Sequence, residues 1–298
     1  MTAEKERARG SSDGMTGERV KVWTHLGTCL LTGAALSLAS SDASAQILKS
    51  GSALDSHGSA IVAIAQGGEG GEGGEGGEKG SAASLAKDDV AYLTHLGLVR
   101  GHLDVGVDLY REGAQDPAKT HMKHPGDELY ADLAPALERR GAQGFANELE
   151  SLAMLVENGA PVSDVEAAHK AVLDRIEQAE ATAFGSGCPD LKTRLETILN
   201  LVRTAAEEYA VAVKDGQVVN AQEYQDALGF VRVSERLLAG VSDEERRQAA
   251  DAITPTQEQL DAIAVAWPSL VPPEQIETDP SLLHGAAARI EIASLSLK

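Results

Sequence analysis

The sequence predicts an all-α fold: an antiparallel bundle of about eight to ten helices that follows a signal peptide and a Gly-Gly-Glu tether. Three observations carry this prediction. Of the 298 residues, 43% are hydrophobic but only 3% are aromatic, and a composition dominated by Ala and Leu favours helices. Residues typical of helix starts recur along the chain. No alternating apolar pattern of strand length appears after residue 87.

Residues 1–45 predict a secretory signal peptide. Arg19 and Lys21 precede an apolar run over residues 26–39, and Ala43-Ser44-Ala45 follows it. A basic start, a short apolar run and an A-x-A cleavage site are typical of exported proteins. We therefore expect a periplasmic or secreted protein that does not span the membrane after processing. Met15 is an alternative start to Met1, and Ala65 ends a second A-x-A site.

Residues 46–86 predict a disordered segment. Within it, residues 67–78 are four copies of Gly-Gly-Glu, which offer no side chain to bury and form a solvated tether. We expect the helical domain to occupy residues 87–298, either as one unit or as two halves, 87–184 and 188–298, that meet at a Gly-Ser-Gly segment.

The charge of the chain limits its ligands. There are 26 basic and 46 acidic residues, giving a net charge of −20. Residues 1–45 carry five of each sign, so the exported form keeps the whole excess. Nucleic-acid binders need a basic surface, so nucleic acid is excluded as a partner and a cation is compatible. Export leaves Cys188 as the only cysteine, which excludes an internal disulfide. It is either a reactive or intermolecular thiol or an inert one.

The helices are predicted from their boundary residues. Asn220 with Glu223 and Ser242 with Glu245 are capping-box patterns, as is Ser163 with Glu166. Pro at a first helical position follows residues 116, 188, 254 and 279. The predicted helices span roughly 87–112, 116–123, 126–140, 143–158, 163–183, 189–214, 220–239, 243–252, 255–266 and 280–296.

Four histidines within thirty residues, His95, His102, His121 and His124, predict the place of any metal chemistry. The first two belong to an apolar i, i+3, i+7 stripe and should face the core. They are about 10.5 Å apart along one helix, too far for a single ion with bonds of about 2 Å. His102 therefore needs ligands from another element.

The next segment supplies those ligands. His121 and His124 are one helical turn apart, and Glu128 follows one turn later. Helical bundles hold iron, manganese or zinc with His and carboxylate at this spacing. The predicted metal site is His102, His121, His124 and Glu128, with His95 as a further ligand or a residue behind them. Alternatively, Pro125 pushes His124 out of the helix to act as an N-cap, and the histidines are core and surface residues without a metal.

Two further groups of residues lie beside these histidines. Gly97 and Gly101, one turn apart, leave room for a second backbone or for a ligand. Tyr92, Tyr110 and Tyr130 could supply hard oxygen ligands for ferric iron, or could simply pack in the core.

Residues 207–224 carry a resemblance to a known family. Glu207-Glu208-Tyr209-Ala210-Val211 leads to Asp215-Gly216, and Val219-Asn220 leads to Glu223-Tyr224. This stretch resembles the soluble extracytoplasmic helical segment associated with bacterial high-affinity iron permeases. The membrane helices and the Arg-Glu-Gly-Leu-Glu type motifs of those permeases are absent. The resemblance therefore implies an accessory role in iron uptake, with a membrane iron permease as partner.

A weaker likeness links residues 101–104, Gly-His-Leu-Asp, to imelysin-like periplasmic proteins of iron uptake. Their Gly-x-His-x-x-Glu motif is not present here: Gly101-His102 resembles its start, but the third residue after His102 is Val105 and not a carboxylate. This resemblance implies a metal rather than another ligand.

Enzyme motifs are missing from the predicted exported part, residues 46–298: it has no Gly-x-Ser-x-Gly, no phosphate loop, no Cys-x-x-Cys-His and no His-Glu-x-x-His. We therefore expect no enzyme but an exported metal-binding accessory protein of metal uptake, with iron as the ion and zinc or copper as alternatives. Two other interpretations stay open: a structural or interaction module that docks a membrane partner without metal, and a haem carrier.

Overall fold

The computed structural model describes residues 81–185 and 188–297. The predicted signal peptide, the Gly-Gly-Glu tether and most of the segment predicted to be disordered lie outside these residues. The end of that segment is folded. Ser81 caps a short helix, α1, over Ala82–Leu85, and the Leu85 side chain is buried. The described helical body thus begins before the predicted boundary at Lys87, because Leu85 packs into the core.

The described residues confirm the all-α prediction, with a single two-stranded hairpin as the exception within them. The helices and strands are α1 Ala82–Leu85, α2 Asp89–Arg111, α3 Gln115–His124, a π-helical turn Pro125–Leu129, α4 Tyr130–Arg139, α5 Ala146–Glu157, α6 Val162–Ala183, α7 Leu191–Ala212, β1 Val213–Lys214, β2 Gln217–Val218, α8 Ala221–Ala239, α9 Asp243–Gln248, α10 Ala250–Ile263, a 3-10 turn Ala264–Ala266, and α11 Ser281–Ser294.

Two of the predicted caps are confirmed by their hydrogen bonds. The Asn220 side chain accepts from the backbone N–H groups of Gln222 and Glu223 at the start of α8. Ser242 and Glu245 form the complete capping box of α9. Each cap satisfies backbone donors that have no partner within the helix.

The other five predicted starts differ from the caps that the helices have. Asp116 lies inside α3, which begins at Gln115, and Pro280 is the N-cap of α11 and not its first helical residue. Pro189 precedes α7, whose N-cap is Asp190. Ser163 lies inside α6, one residue after its start. Pro255 lies inside α10. Proline there removes one backbone hydrogen bond, but Ile253, Thr256 and Leu260 are all buried, so burial of one continuous face outweighs that loss.

The core consists of two apolar clusters. One is built almost wholly from residues 85–179, and the other from residues 195–290. Helix α2 joins them, because it packs against α3 and α6 on one side and against α7 and α8 on the other. Ion pairs of Arg236 with Asp104 and of Arg232 with Asp108 also connect α8 to α2.

Two glycines set the distance between α2 and α8. A Cβ atom placed on Gly229 would lie 2.5 Å from the carbonyl oxygen of Gly101, closer than any real Cβ contact. Only glycine at both positions allows the two backbones to touch. The expectation that a second backbone approaches α2 at Gly101 is confirmed. Gly97 instead faces the Leu201 and Val233 side chains.

Helices α7 and α8 are joined by a tight hairpin. Asp215 and Gly216 have φ angles of +51° and +75°, the backbone conformation that Asp-Gly provides in two-residue hairpin turns. The helix predicted over 189–214 thus ends at Ala212, and the hairpin of β1 and β2 follows it.

No helix within 81–185 or 188–297 combines the length and the apolarity needed to cross a bilayer.

Candidate metal centre

Three buried side chains from three helices converge beside the contact between α2 and α8. His102 of α2, His121 of α3 and Asp226 of α8 are 4%, 0% and 2% exposed. The Oδ1 atom of Asp226 lies 2.5 Å from Nδ1 of His102 and 2.9 Å from Nδ1 of His121. The two nitrogens and the oxygen all lie within 4.8 Å of one another.

Glycines bring the histidine helices to this point. Gly101 precedes His102 and permits the close contact with α8 that places Asp226 opposite. Gly106, further along α2, lies against the Met122 side chain and the Cβ of His121. A larger residue at either glycine would push α8 or α3 away from α2, so small residues position the site.

A chain of hydrogen bonds fixes the orientation of the His121 ring. The Gln225 Nε2 donates to the carbonyl oxygen of Leu270, which leaves Gln225 Oε1 facing His121 Nε2 at 2.9 Å. Because an amide oxygen only accepts, Nε2 of His121 must carry the proton. When the ring is neutral, its lone pair is therefore on Nδ1, which faces Asp226. In the protonated ring, which the Asp226 carboxylate favours, Nδ1 carries a second proton toward Asp226 instead. Metal-binding histidines are commonly held through the opposite ring nitrogen in this way.

The contacts to Asp226 are short but do not have hydrogen-bond geometry. Within the described part of the chain, Nδ1 of His102, Nδ1 of His121 and Oδ1 of Asp226 are buried atoms without a hydrogen-bond partner. In the empty site these atoms have one another as partners, at ion-pair distances, and a buried ion pair recovers only part of the free energy that its charges lose on leaving water. A cation that accepts a lone pair from each of the three atoms would use all three at once.

The spacing of the three atoms suits a metal ion after a small adjustment. Bonds of about 2.0–2.2 Å at angles near 90–110° place neighbouring ligand atoms about 3.0–3.5 Å apart. The two contacts of Asp226 Oδ1 are slightly shorter than that. An opening of about half an ångström at the carboxylate is enough to seat an ion bound to two imidazoles and one carboxylate.

The protonation of the site reflects the same contacts. Burial favours the neutral acid, but the two imidazoles outweigh it and hold the pKa of Asp226 far below its usual range. Burial also opposes the charged form of His121, yet contact with the Asp226 carboxylate raises the pKa of this histidine above its usual value. The aspartate is thus ionised at neutral pH, as a metal ligand must be.

His124 lies beside this group, on the side of a large cavity. Its ring centroid is 4.5 Å from that of His102, and its Nδ1 lies 3.3 Å from Oε1 of Glu128. Burial, followed by the neighbouring His102, lowers the pKa of His124, so its imidazole is neutral near pH 7 and can act as a ligand.

Pro125 does not displace His124 from the helix, as the alternative interpretation required. His124 keeps helical angles of φ −50° and ψ −48°, and its side chain makes no capping hydrogen bond. The chain continues through the π-helical turn, a feature that is frequent at functional sites. This turn keeps Glu128 one helical turn from His124. The two side chains contact each other, and Glu128 does not join the three ligand atoms.

His95 and the tyrosines lie away from the three ligand atoms. Nε2 of His95 lies 2.8 Å from the Leu129 carbonyl oxygen, which suits a residue that supports the π-helical turn. The phenol groups of Tyr92 and Tyr110 donate to backbone carbonyls, and that of Tyr130 accepts from a backbone N–H. Each phenol group is hydrogen-bonded to the protein backbone, as is usual for a tyrosine that packs in the core.

Asp226 is the residue that the sequence analysis missed. Asp226 lies far from the histidines in the sequence. Its neighbours Tyr224 and Ala227 indicate only a buried helix face. An acid in the middle of such a face, three residues after Glu223, is the one local signal that could have singled it out. Its pairing with two histidines depends on the α2–α8 contact.

A cavity of about 1840 Å³ opens beside the site and is bordered by His102, His124 and Asp226. Glu207 and Glu208 of α7 and Glu223 of α8 border it as well. Burial raises the pKa of Glu208 to about 9, aided by a hydrogen bond and by charge repulsion from Glu223. Glu208 is therefore protonated at neutral pH and hydrogen-bonded to Glu223.

Replacing Glu208 by Gln should stabilise the protein at pH 8 by about 1–2 kcal/mol, a figure reduced for partial exposure and coupling. The folded-state pKa of Glu208 lies above its usual 4.5, so the stability it contributes is complete below pH 4.5 and is lost as the pH rises toward 9. Glutamine mimics the protonated form. Urea unfolding should therefore show a gain at pH 8 that vanishes at pH 4. The exposed Glu150→Gln serves as control, and an equal gain at both pH values would contradict this.

The comparisons with known proteins concern the second half of the chain. No curated protein and no solved structure matches the sequence. The helices α7, α8, α10 and α11 pack on one another and supply Asp226 and Gln225, whereas α2 and α3 supply the histidines. The range 188–296, which contains all four of these packed helices, matches the family model of the iron permease-associated 4-helix bundle domain. This match includes residues 207–224 and confirms the resemblance on which the sequence analysis drew.

Proposed function

We propose that the protein is an exported binding protein for divalent iron that serves a membrane iron permease, and that it is not an enzyme. One observation carries the proposal: His102, His121 and Asp226 direct three buried ligand atoms without hydrogen-bond partners toward one another, within the described part of the chain. A cation is the ligand that satisfies two imidazole lone pairs and one carboxylate oxygen at once.

The donor set favours Fe²⁺. Two imidazoles and one carboxylate on one face of an ion are typical of non-haem ferrous sites. This set leaves coordination positions open on the cavity side, where His124 or water can bind. Zinc and copper also bind imidazole, so they remain the competing ions. The buried site has no cysteine ligand, which disfavours softer ions.

The setting of the site supports iron uptake as its context. The match to the iron permease-associated domain begins at residue 188 and includes Asp226. The signal-peptide pattern of residues 1–45 supports export to the periplasm or beyond the cell. In this proposal the protein binds the ion outside the cytoplasm and presents it to the permease.

Replacing Asp226 by Asn tests the proposal. The variant keeps the shape of the side chain but removes the charge and one ligand, and we expect Fe²⁺ affinity to fall by at least about 100-fold, more than the loss of an outer partner costs. Anaerobic calorimetry at pH 7 measures it, with Asp251→Asn, on the exposed face of α10, as the matched control.

The two variants differ only in where the charge is lost. Wild type and Asp251→Asn should bind one Fe²⁺ with equal affinity. Unchanged binding by a folded Asp226→Asn, verified by its circular dichroism, would rule out this site. Binding that is absent from the wild type would instead favour the structural module.

A further inference from the structure

The cavity beside the site is strongly acidic. Among the described residues that border it, nine carry carboxylates and three are basic. One of the basic side chains, Lys123, already pairs with Glu157 on the rim. A wall with this imbalance concentrates free cations and repels anions. A ferric chelate of citrate, which is anionic, is therefore disfavoured in it.

Three of these carboxylates lie next to one another between α7 and α8. Glu207 and Glu208 of α7 and Glu223 of α8 border the cavity together with Asp226, and Glu208 is hydrogen-bonded to Glu223. Glu223 and Asp226 are three residues apart on α8 and thus occupy the same helix face. The carboxyl groups of Glu207, Glu208 and Glu223 therefore belong to the same cavity wall as Asp226.

The buried residues next to these glutamates provide a second observation, which is independent of the acidity of the cavity. Asp226 and His102 border the cavity and are at least 96% buried, and each presents an atom without a hydrogen-bond partner within the described part of the chain. His121 does not border the cavity. A cation that enters from the cavity thus meets Asp226 and His102 first and His121 last.

We propose that Glu207, Glu208 and Glu223 form a carboxylate path that takes hydrated divalent cations from the cavity to His102, His121 and Asp226 and that excludes anionic chelates. This path rests on the proposed metal site. Carboxylates exchange water on a hard cation readily because they bind it through oxygen, as water does. Successive carboxylates let the ion lose its water in steps before it reaches the imidazoles.

The rate of cation binding tests the path. Stopped-flow absorbance follows Co²⁺ as it acquires the spectrum of a His/Asp site. In the triple variant Glu207→Gln, Glu208→Gln and Glu223→Gln, the association rate constant should fall by at least about tenfold, with the final spectrum unchanged. The control, Glu150→Gln with Glu258→Gln and Glu277→Gln, replaces the same number of carboxyl groups at exposed positions away from the cavity. It removes at least as much charge, because Glu208 is largely protonated near pH 7, and it should bind at close to the wild-type rate.

Each other result overturns the path. Equal slowing of both variants would assign the effect to net charge, and no slowing of either would remove the path altogether. A changed Co²⁺ spectrum in the cavity variant would make these glutamates ligands instead. Ferric citrate should not compete with Co²⁺, and competition would contradict the exclusion of chelates. A wild-type protein that binds neither Co²⁺ nor Fe²⁺ would refute the metal site itself, whereas normal loading of the cavity variant refutes only the path.

Discussion

The double variant His102→Ala/His121→Ala is expected to lose stoichiometric binding of Fe²⁺, with an affinity reduced by more than about 1000-fold. It removes both nitrogen ligands and leaves Asp226 as the only member of the set. Loss of one outer partner already costs about 10–100-fold, and loss of two inner ligands costs more. Anaerobic calorimetry on the full exported chain measures the change in stoichiometry and affinity.

Two single variants serve as controls for the double variant. His95→Ala should keep the full stoichiometry, because His95 contacts the Leu129 carbonyl and not the site. His284→Ala, on the exposed side of α11, should behave like the wild type. Retention of full binding by the double variant would refute the site, and His102→Gln/His121→Gln keeps the buried volume filled if the alanine variant unfolds.

Replacing Gly229 by Ala is expected to destabilise the fold by about 3 kcal/mol. The new Cβ would lie 2.5 Å from the Gly101 oxygen and 2.8 Å from its carbonyl carbon. Both are backbone atoms and cannot move aside as a flexible side chain would, so α8 must shift from α2. Overpacking of a tight core contact costs about 1–3 kcal/mol and sometimes more. Urea unfolding of the metal-free protein measures the loss.

Gly240→Ala is the matched control, because Gly240 ends the same helix and a Cβ there would have its nearest neighbours at 3.6 Å. Its φ of −73° suits alanine, so its stability should stay within about 0.5 kcal/mol of wild type. If Gly229→Ala were as stable as this control, the two glycines would not determine the helix contact. The shift of α8 should also weaken metal binding, since it moves Asp226 away from His102.

Local patterns predicted the helices well because their signals are local. The hydrogen bonds of Asn220 and Ser242 form within one turn, so the sequence around them suffices. Pro255 was misread because burial on both sides of it, at Ile253 and Leu260, acts over several turns and outweighs one lost bond. Boundaries set by tertiary packing are not visible in a short window.

The candidate site was predictable only in part. His102 and His121 are brought together, as the sequence analysis expected, and His124 lies beside them. Glu128 pairs with His124 instead of joining the central group. Asp226 was missed because its meeting with the histidines requires α8 to cross α2 at Gly101 and Gly229, a contact between segments far apart in the chain.

The division of the ligands between the two cores gives a bound cation a mechanical consequence. His102 and His121 belong to helices of the first core, and Asp226 belongs to the second. An ion bound to all three side chains would link the two cores of the protein. At a free concentration of 100 times Kd, binding of the ion would raise the free energy of unfolding by about 2.7 kcal/mol. The loaded protein should then unfold at a higher urea concentration than the empty one.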